Sequence, residues 1–121
     1  MAVKKSSEGH RQRLRDKNRE VFMVIYLNGR DQIIKMEEVF EGTLSTSAVY
    51  PREVVKRALD NEAAALVFVH NHPSGNPNPS KEDLTITNKL KEASQSIDVV
   101  VHDHLIIAGN EVYSFTDHGL I

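Results

Sequence analysis

An unbroken apolar run at residues 63–69 ends directly at His70, and this run sets strong limits on the fold. A short run of this kind is typical of a strand that is buried on both faces. Side chains alternate along a strand, so His70 and His72 share a face if the strand continues through them. Pro73 favours this continuation, because the residue before a proline is pushed toward extended geometry. The run therefore predicts two imidazoles side by side at the end of a buried strand.

A carboxylate is predicted to join these imidazoles. Ser80 suits the N-cap of a helix, which places Asp83 in the first helical turn. The linker 73–79 holds three prolines and one glycine, so it is stiff and returns the helix start toward the histidines at a reduced entropic cost. Two histidines and one carboxylate are the ligand set of catalytic zinc, which keeps a fourth position for water. The pattern predicts one Zn²⁺ per chain, bound by His70, His72 and Asp83.

Each half of this pattern also has an ordinary explanation. Ser80 and Asp83 form a common capping pair, and an isolated His-x-His on a strand is usually structural or exposed. The combination at this spacing favours the metal site. A second His-x-His, at 102–104, lacks both the Ser-x-x-Asp partner and the stiff loop. We interpret Asp103 and His104 as structural or supporting residues, with Asp103 able to orient a ligating imidazole.

The spacing His-x-His, seven residues, Ser-x-x-Asp resembles the JAMM motif of the MPN+ (JAB) metalloproteases. The longer string HNHPSGNPNPSKED, with YPREVVKRAL before it and VVVHDHLIIAG after it, resembles the bacterial RadC family in particular. This resemblance covers residues 20–121. It implies a three-layer JAMM/MPN (cytidine deaminase-like) α/β fold and a zinc hydrolase site that acts on peptide or isopeptide bonds.

The resemblance also implies two catalytic residues. A JAMM site uses a glutamate ahead of its first central strand as general base, and Glu20 matches that position. Glu38, near the end of the second strand-like stretch, is the rival candidate. The JAMM serine, here Ser80, helps to hold the oxyanion, and simple helix capping is the alternative role for it.

Composition limits the remaining function classes. A length of 121 residues suggests one domain. Cysteine is absent, which excludes disulfides, cysteine nucleophiles and the cysteine-ligated zinc of nucleobase deaminases. Because no apolar run approaches the length of a membrane span and the N-terminus is charged, we expect a cytoplasmic protein without membrane contact.

The charge is unevenly distributed. Residues 1–19 carry seven basic and two acidic residues, a net charge of +5, whereas the remainder carries eight basic and fifteen acidic residues, a net charge of −7. We expect residues 1–19 to be a flexible basic arm that either contacts DNA or is merely solvated. RadC-like proteins commonly carry a helix-hairpin-helix module before this domain, so the chain is either a fragment or a short family member.

The order of elements is predicted as β-β-α-β-α-β-β, a mixed β-sheet flanked by helices. Asn28-Gly29 predicts a two-residue hairpin turn between strands at 21–27 and 32–38, followed by a loop or short edge strand.

Pro51 opens the first helix, whose apolar face is Val54, Val55, Ala58 and Leu59. The second helix is predicted to bury Leu84, Leu90, Ala93 and Ile97. Strands at 99–101 and 105–107 are predicted to be interrupted by residues 102–104, with a last strand at 112–115. The C-terminal residues 119–121 either pack on the sheet or pair with another chain as a homodimer.

Three functions are consistent with these features. The first is a zinc-dependent hydrolase of peptide or isopeptide bonds. The second is a DNA-repair-associated accessory protein with a structural or vestigial zinc. The third is a nuclease, since water activated by zinc also attacks phosphodiesters.

Overall fold

The computed structural model of the protein describes residues 19–42 and 49–121. The predicted basic arm, apart from Arg19, lies outside this range, as do residues 43–48 of the predicted loop. The described elements are β1 (Val21–Leu27), β2 (Ile33–Glu41), α1 (Pro51–Asp60), β3 (Ala65–Asn71), α2 (Lys81–Gln95), β4 (Val100–Ala108) and β5 (Glu111–Ser114). This order confirms the predicted succession of strands and helices.

The five strands form one mixed sheet in the order β2-β1-β3-β4-β5. Strand β1 pairs antiparallel with both β2 and β3, and β4 pairs antiparallel with β5. Strands β3 and β4 are parallel, because α2 carries the chain back across the sheet between them. The predicted mixed α/β fold is confirmed, and the carboxyl end of β3 leads directly toward the start of α2.

Strand β1, inside the sheet between β2 and β3, is buried on both faces, and its side chains join two core clusters. Phe22, Val24 and Tyr26 point to one face, where buried residues of both described helices pack against them. Met23 and Ile25 point to the other face, together with apolar residues of β3 and β4. Both described helices therefore cover the same face of the sheet, and this face also carries His70, which pairs with Phe22.

The phase of α2 differs from the prediction. Leu84 is exposed, and the buried residues of the helix are Asp83, Ile86, Thr87, Leu90 and Ser94. The apolar pattern predicted a stripe starting at Leu84, but the buried face begins at Asp83, and Leu90 is buried as predicted. Leu59 of α1 is likewise exposed, and the buried residues of that helix are Val54 and Ala58.

Two connections also differ from expectation. The β1–β2 turn spans residues 28–32, not two residues. The Asn28 carboxamide accepts hydrogen bonds from the backbone N–H groups of Arg30 and Gln32, and Asp31 adopts φ 58°. Strand β4 is continuous through residues 102–104, where the prediction placed a break. The pairing of β4 with β3 is irregular here, and His102 is the extra, unpaired residue. The polar residues 102–104 therefore lie at a β-bulge and not at a break in the strand.

At the C-terminus, Ile121 packs against the first core cluster. This contact favours the first alternative for residues 119–121, and a homodimer stays a prediction. Neither described helix has the length and apolar character that crossing a bilayer would require.

Candidate metal centre

The candidate metal centre lies where β3 ends and α2 begins. His70 is near the end of β3 and is buried. His72 follows the strand, but its backbone N–H donates to the Ile107 carbonyl at 2.8 Å, which extends the ladder with β4. Both imidazoles therefore lie on the same face, as alternation along an extended segment requires.

The linker between the histidines and the helix begins with a tight turn. The Gly75 N–H donates to the His72 carbonyl at 3.0 Å, and Gly75 adopts φ 82°, a backbone conformation that favours glycine. Farther along, the Asn78 N–H donates to the Asn76 carboxamide at 3.0 Å. These local bonds hold a proline-rich segment in one path, so the helix start is returned to the histidines.

A capping box fixes Asp83 at the start of α2. The Asp83 N–H donates to Ser80 Oγ at 3.0 Å, and the Ser80 N–H donates to Asp83 Oδ2 at 2.7 Å. The carboxylate lies in the first helical turn, where the helix dipole favours negative charge. Capping and ligation are therefore not competing explanations for this pair, because one carboxylate serves the cap and faces the histidines.

The three predicted ligands converge. His70 Nε2 is 3.1 Å from Asp83 Oδ1, and His72 Nε2 is 3.0 Å from Asp83 Oδ2. The two Nε2 atoms are 3.0 Å apart. One ligand atom from each of the three residues lies within 4.8 Å of the others. Nitrogen and oxygen ligands collected in this way can hold a metal ion.

The protonation of His72 shows why a cation fits. Its Nδ1 is 2.7 Å from the Asn76 carbonyl oxygen, which can only accept, so Nδ1 carries the proton. A neutral His72 then presents a bare Nε2 lone pair toward a carboxylate oxygen, and two acceptors face each other. The contact needs either a second proton on the ring or a cation between the two atoms.

The pKa shifts describe the same electrostatic situation without metal. The hydrogen bond with Asp83 raises the pKa of His72, and it outweighs burial, which opposes it. Burial acts to raise the pKa of Asp83, but hydrogen bonds with His70 and His72 prevail and hold it well below its usual range. The site is therefore a fixed negative charge beside two imidazoles, the arrangement that a divalent cation stabilises.

The two predicted catalytic residues line a cavity beside the candidate metal centre. This cavity has a volume of about 300 Å³, and Glu20, His72 and Ser80 are among its lining residues. Glu38 pairs with Met23 in the sheet, and Met23 belongs to the second core cluster. Since directly paired residues share a face, Glu38 lies on the sheet face opposite the histidines.

Among the described residues, the Asp103 side chain has no imidazole partner, contrary to the role considered for it. Its side chain accepts from the backbone N–H groups of His104 and Thr116 and from the Ser114 hydroxyl, at 2.6–3.0 Å. Instead, His104 Nε2 is 2.6 Å from His70 Nδ1. This contact was not predicted from the sequence, where His104 was interpreted together with Asp103 as structural or supporting. The contact would have been predictable from the register of β4 against β3, because that register places His104 and His70 on the same sheet face.

Known proteins similar to this chain share its sequence over most of its length. The UPF0758 proteins YfjY and YeeS of Escherichia coli are each 52% identical over 103 residues, which is 85% of this chain and 64% and 70% of those proteins. A UPF0758 protein of Nitrosomonas eutropha is 52% identical over 105 residues, 87% of this chain and 47% of that protein. The chain thus spans between about half and about two-thirds of the length of these relatives.

A family model supports the same relationship. The model described as RadC-like JAB domain matches residues 3–120, which include every residue of the candidate metal centre. The resemblance drawn from the His-x-His and Ser-x-x-Asp spacing is confirmed. On this match and these identities, the chain belongs to the RadC-like JAB domain family.

Proposed function

We propose that this domain is a zinc-dependent hydrolase of amide bonds, with a peptide or isopeptide as its substrate. The observation that carries the proposal is the meeting of the His70, His72 and Asp83 ligand atoms at the edge of a cavity that Glu20 and Ser80 also line. Two imidazoles and a carboxylate are the ligands of catalytic zinc in hydrolases. When bound, zinc would supply Lewis acidity, which lowers the pKa of water to about 7 and polarises a carbonyl.

Glu20 is proposed as the general base. It lies directly before β1, and its backbone carbonyl accepts from the Gly42 N–H at 2.8 Å. This hydrogen bond holds the Glu20 backbone in place at the start of β1. The carboxylate would accept a proton from the attacking water and donate it to the nitrogen of the departing amine. One group thereby serves both halves of amide hydrolysis.

Ser80 is proposed to stabilise the oxyanion while it caps the helix. Its Oγ accepts from the Asp83 N–H, which leaves the hydroxyl hydrogen to be directed elsewhere. Since Ser80 also lines the cavity, that hydrogen can donate to negative charge that develops on a substrate oxygen. Capping then positions the hydroxyl for catalysis.

A screen of peptide and isopeptide substrates tests the proposal. We compare zinc-loaded wild type with Glu20→Gln, using Glu38→Gln as a matched control on the opposite face of the sheet. Glu20→Gln should keep its zinc and lose roughly 10²- to 10⁴-fold in turnover, and Glu38→Gln should match wild type. A Glu20→Gln protein with undiminished turnover would exclude this base, and a wild type that binds no zinc would exclude the whole proposal.

A DNA-associated role is the second candidate, and the charge asymmetry favours it. Residues 1–19 carry a net charge of +5 on a chain whose remainder is acidic. If this segment contacts phosphates, DNA affinity should fall steeply with salt and should drop when residues 1–18 are removed. Equal affinity of the full and shortened chains across a salt series would eliminate this role for the segment.

A further inference from the structure

A chain of buried hydrogen bonds runs behind the metal centre, from α2 through β4 to β3. The Thr87 hydroxyl donates to the Asp83 carbonyl oxygen at 2.7 Å. The same Oγ1 is 2.5 Å from His104 Nδ1, and His104 Nε2 is 2.6 Å from His70 Nδ1. Thr87, His104 and His70 are each at most 1% exposed, so water does not offer these groups alternative partners.

The direction of each bond follows from the number of hydrogens. A threonine hydroxyl has one hydrogen, and Thr87 gives it to the Asp83 carbonyl, so toward His104 the oxygen can only accept. His104 Nδ1 must therefore carry the proton. In a neutral ring, Nε2 then has the lone pair, and it accepts from the Nδ1–H of His70.

These donor and acceptor roles allow only one tautomer of a neutral His70. With its proton on Nδ1, the ring presents a bare Nε2 toward Asp83, where the metal ligands converge. We propose that Thr87 and His104 are positioning residues that set the tautomer of His70 and so prepare its Nε2 for the metal. The inference rests on the metal site proposed above and adds two residues that do not touch the ion.

Packing around His104 supports a fixed ring. Phe115 stacks on it with centroids 4.5 Å apart and planes at 19°, and Phe22 and Phe68 make T-shaped contacts with it at centroid distances of 5.9 and 6.0 Å. The Asp103 carboxylate binds the backbone N–H groups on both sides of this stack, at 104 and 116. These contacts hold the ring with Nδ1 toward Thr87 and Nε2 toward His70, so the tautomer of His104 sets the hydrogen bond made by His70.

Thr87 offers the most conservative test. Thr87→Val keeps the shape and removes the hydroxyl, whereas Thr87→Ser keeps the hydroxyl. Ser94→Ala is the control, because it removes a second buried hydroxyl from the same helix, two turns farther along. The zinc dissociation constant is measured by competition with a chromophoric chelator.

We expect Thr87→Val to weaken zinc binding by about 10- to 100-fold, as loss of a ligand's supporting hydrogen bond commonly does. Thr87→Ser and Ser94→Ala should match wild type. If Thr87→Val binds zinc as tightly as wild type, the positioning role is excluded. Failure of wild type to bind zinc at all would instead overturn the metal site on which this inference rests.

A second measurement uses the unaltered protein. Nitrogen-15 NMR of the histidine rings in the zinc-loaded wild type should show His104 protonated on Nδ1 and a hydrogen bond from His70 Nδ1 to His104 Nε2. A His104 ring protonated on Nε2 would contradict the proposal even if every substituted protein failed to fold.

Discussion

Two polar clusters lie at opposite ends of the β1–β3 pair, and they are built differently. The site cluster consists of His70, His72, Asp83, Thr87 and His104. The Arg57 cluster consists of Tyr26, Lys35, Glu37, Glu53 and Arg57. Phe22 pairs with His70 and Tyr26 pairs with Leu66, so the clusters are separated by four residues of strand, about 13 Å.

Every contact in the Arg57 cluster joins a donor to an acceptor. The Tyr26 hydroxyl donates to Glu37 Oε1 at 3.0 Å, and Arg57 contacts Glu37 at 2.8 Å and Glu53 at 3.1 Å. In the site cluster, by contrast, acceptors of His72 and Asp83 meet at 3.0 Å. The Arg57 cluster is therefore satisfied by its own residues, whereas the contact between His72 and Asp83 in the site cluster needs a further proton or a cation. Substitutions should therefore affect stability at one end and metal binding at the other.

The largest effect is expected at Asp83. Asp83→Asn removes the negative charge between the imidazoles, and the protein should no longer bind stoichiometric zinc, as measured by metal analysis after gel filtration. Glu82→Gln, on the exposed side of the same helical turn, is the control and should keep about one zinc per chain. If Asp83→Asn retains zinc at the wild-type level, the assignment of the carboxylate ligand is wrong.

Substitution of Ser80 shows whether the capping box beside the site cluster also contributes to the stability of the fold. Ser80→Ala removes the side-chain half of the capping box and should lower the free energy of unfolding by roughly 1 to 2 kcal/mol. Ser80→Thr keeps a hydroxyl and should recover most of this loss in urea titrations. Equal stability of Ser80→Ala and wild type would show that the cap is unimportant in the folded protein.

At the other end, Glu37 should affect stability in a pH-dependent way. Burial acts to raise its pKa, but hydrogen bonds from Arg57, Tyr26 and Lys35 prevail and lower it. A carboxyl group whose pKa is lower in the folded state stabilises above its unfolded pKa of about 4.3 and loses this effect as the pH falls. Glu37→Gln should cost about 1 kcal/mol at pH 7 and less near pH 3, with zinc affinity unchanged. A cost that is independent of pH would refute the charge-based account.

Tyr26→Phe should give the smallest effect. The ring stays buried and only the bond to Glu37 is lost, so a decrease of roughly 0.5 to 1 kcal/mol is expected in urea denaturation. The pKa of Tyr26 is raised by burial first and by Glu37 second, so its stabilising contribution is present at neutral pH and is lost only under strongly alkaline conditions. A change in zinc affinity in this variant would mean that the two ends are coupled, contrary to the comparison.

The parts of the site that depend on neighbouring residues were predictable from sequence. Alternation along β3 brings His70 and His72 to one face, and the capping pattern at Ser80 places Asp83 in the first turn of α2. The apolar run and Pro51 likewise located β3 and the start of α1. In each of these cases, the residues that determine the local structure lie within a few positions of the residue whose place was predicted.

The parts that depend on distant pairing were not predictable. The contact between His70 and His104 joins residues 34 positions apart and follows from the register of β4, which includes a bulge at His102. The buried face of α2 was predicted only in part: Leu90 is buried as expected, but a pattern of apolar residues treats Asp83 as a surface residue, although it is buried. The position of Glu38 on the opposite face of the sheet follows from the register of β2 against β1, which the predicted hairpin did not specify because the actual turn is longer than two residues.

Anomalous diffraction at the zinc edge from crystals of the zinc-loaded wild type would locate the metal directly. We predict a single strong anomalous peak, from a zinc ion within bonding distance of His70 Nε2, His72 Nε2 and a carboxylate oxygen of Asp83. Nδ1 of His70 should still face His104. A zinc peak at any other group of residues, with none between these three side chains, would contradict the account.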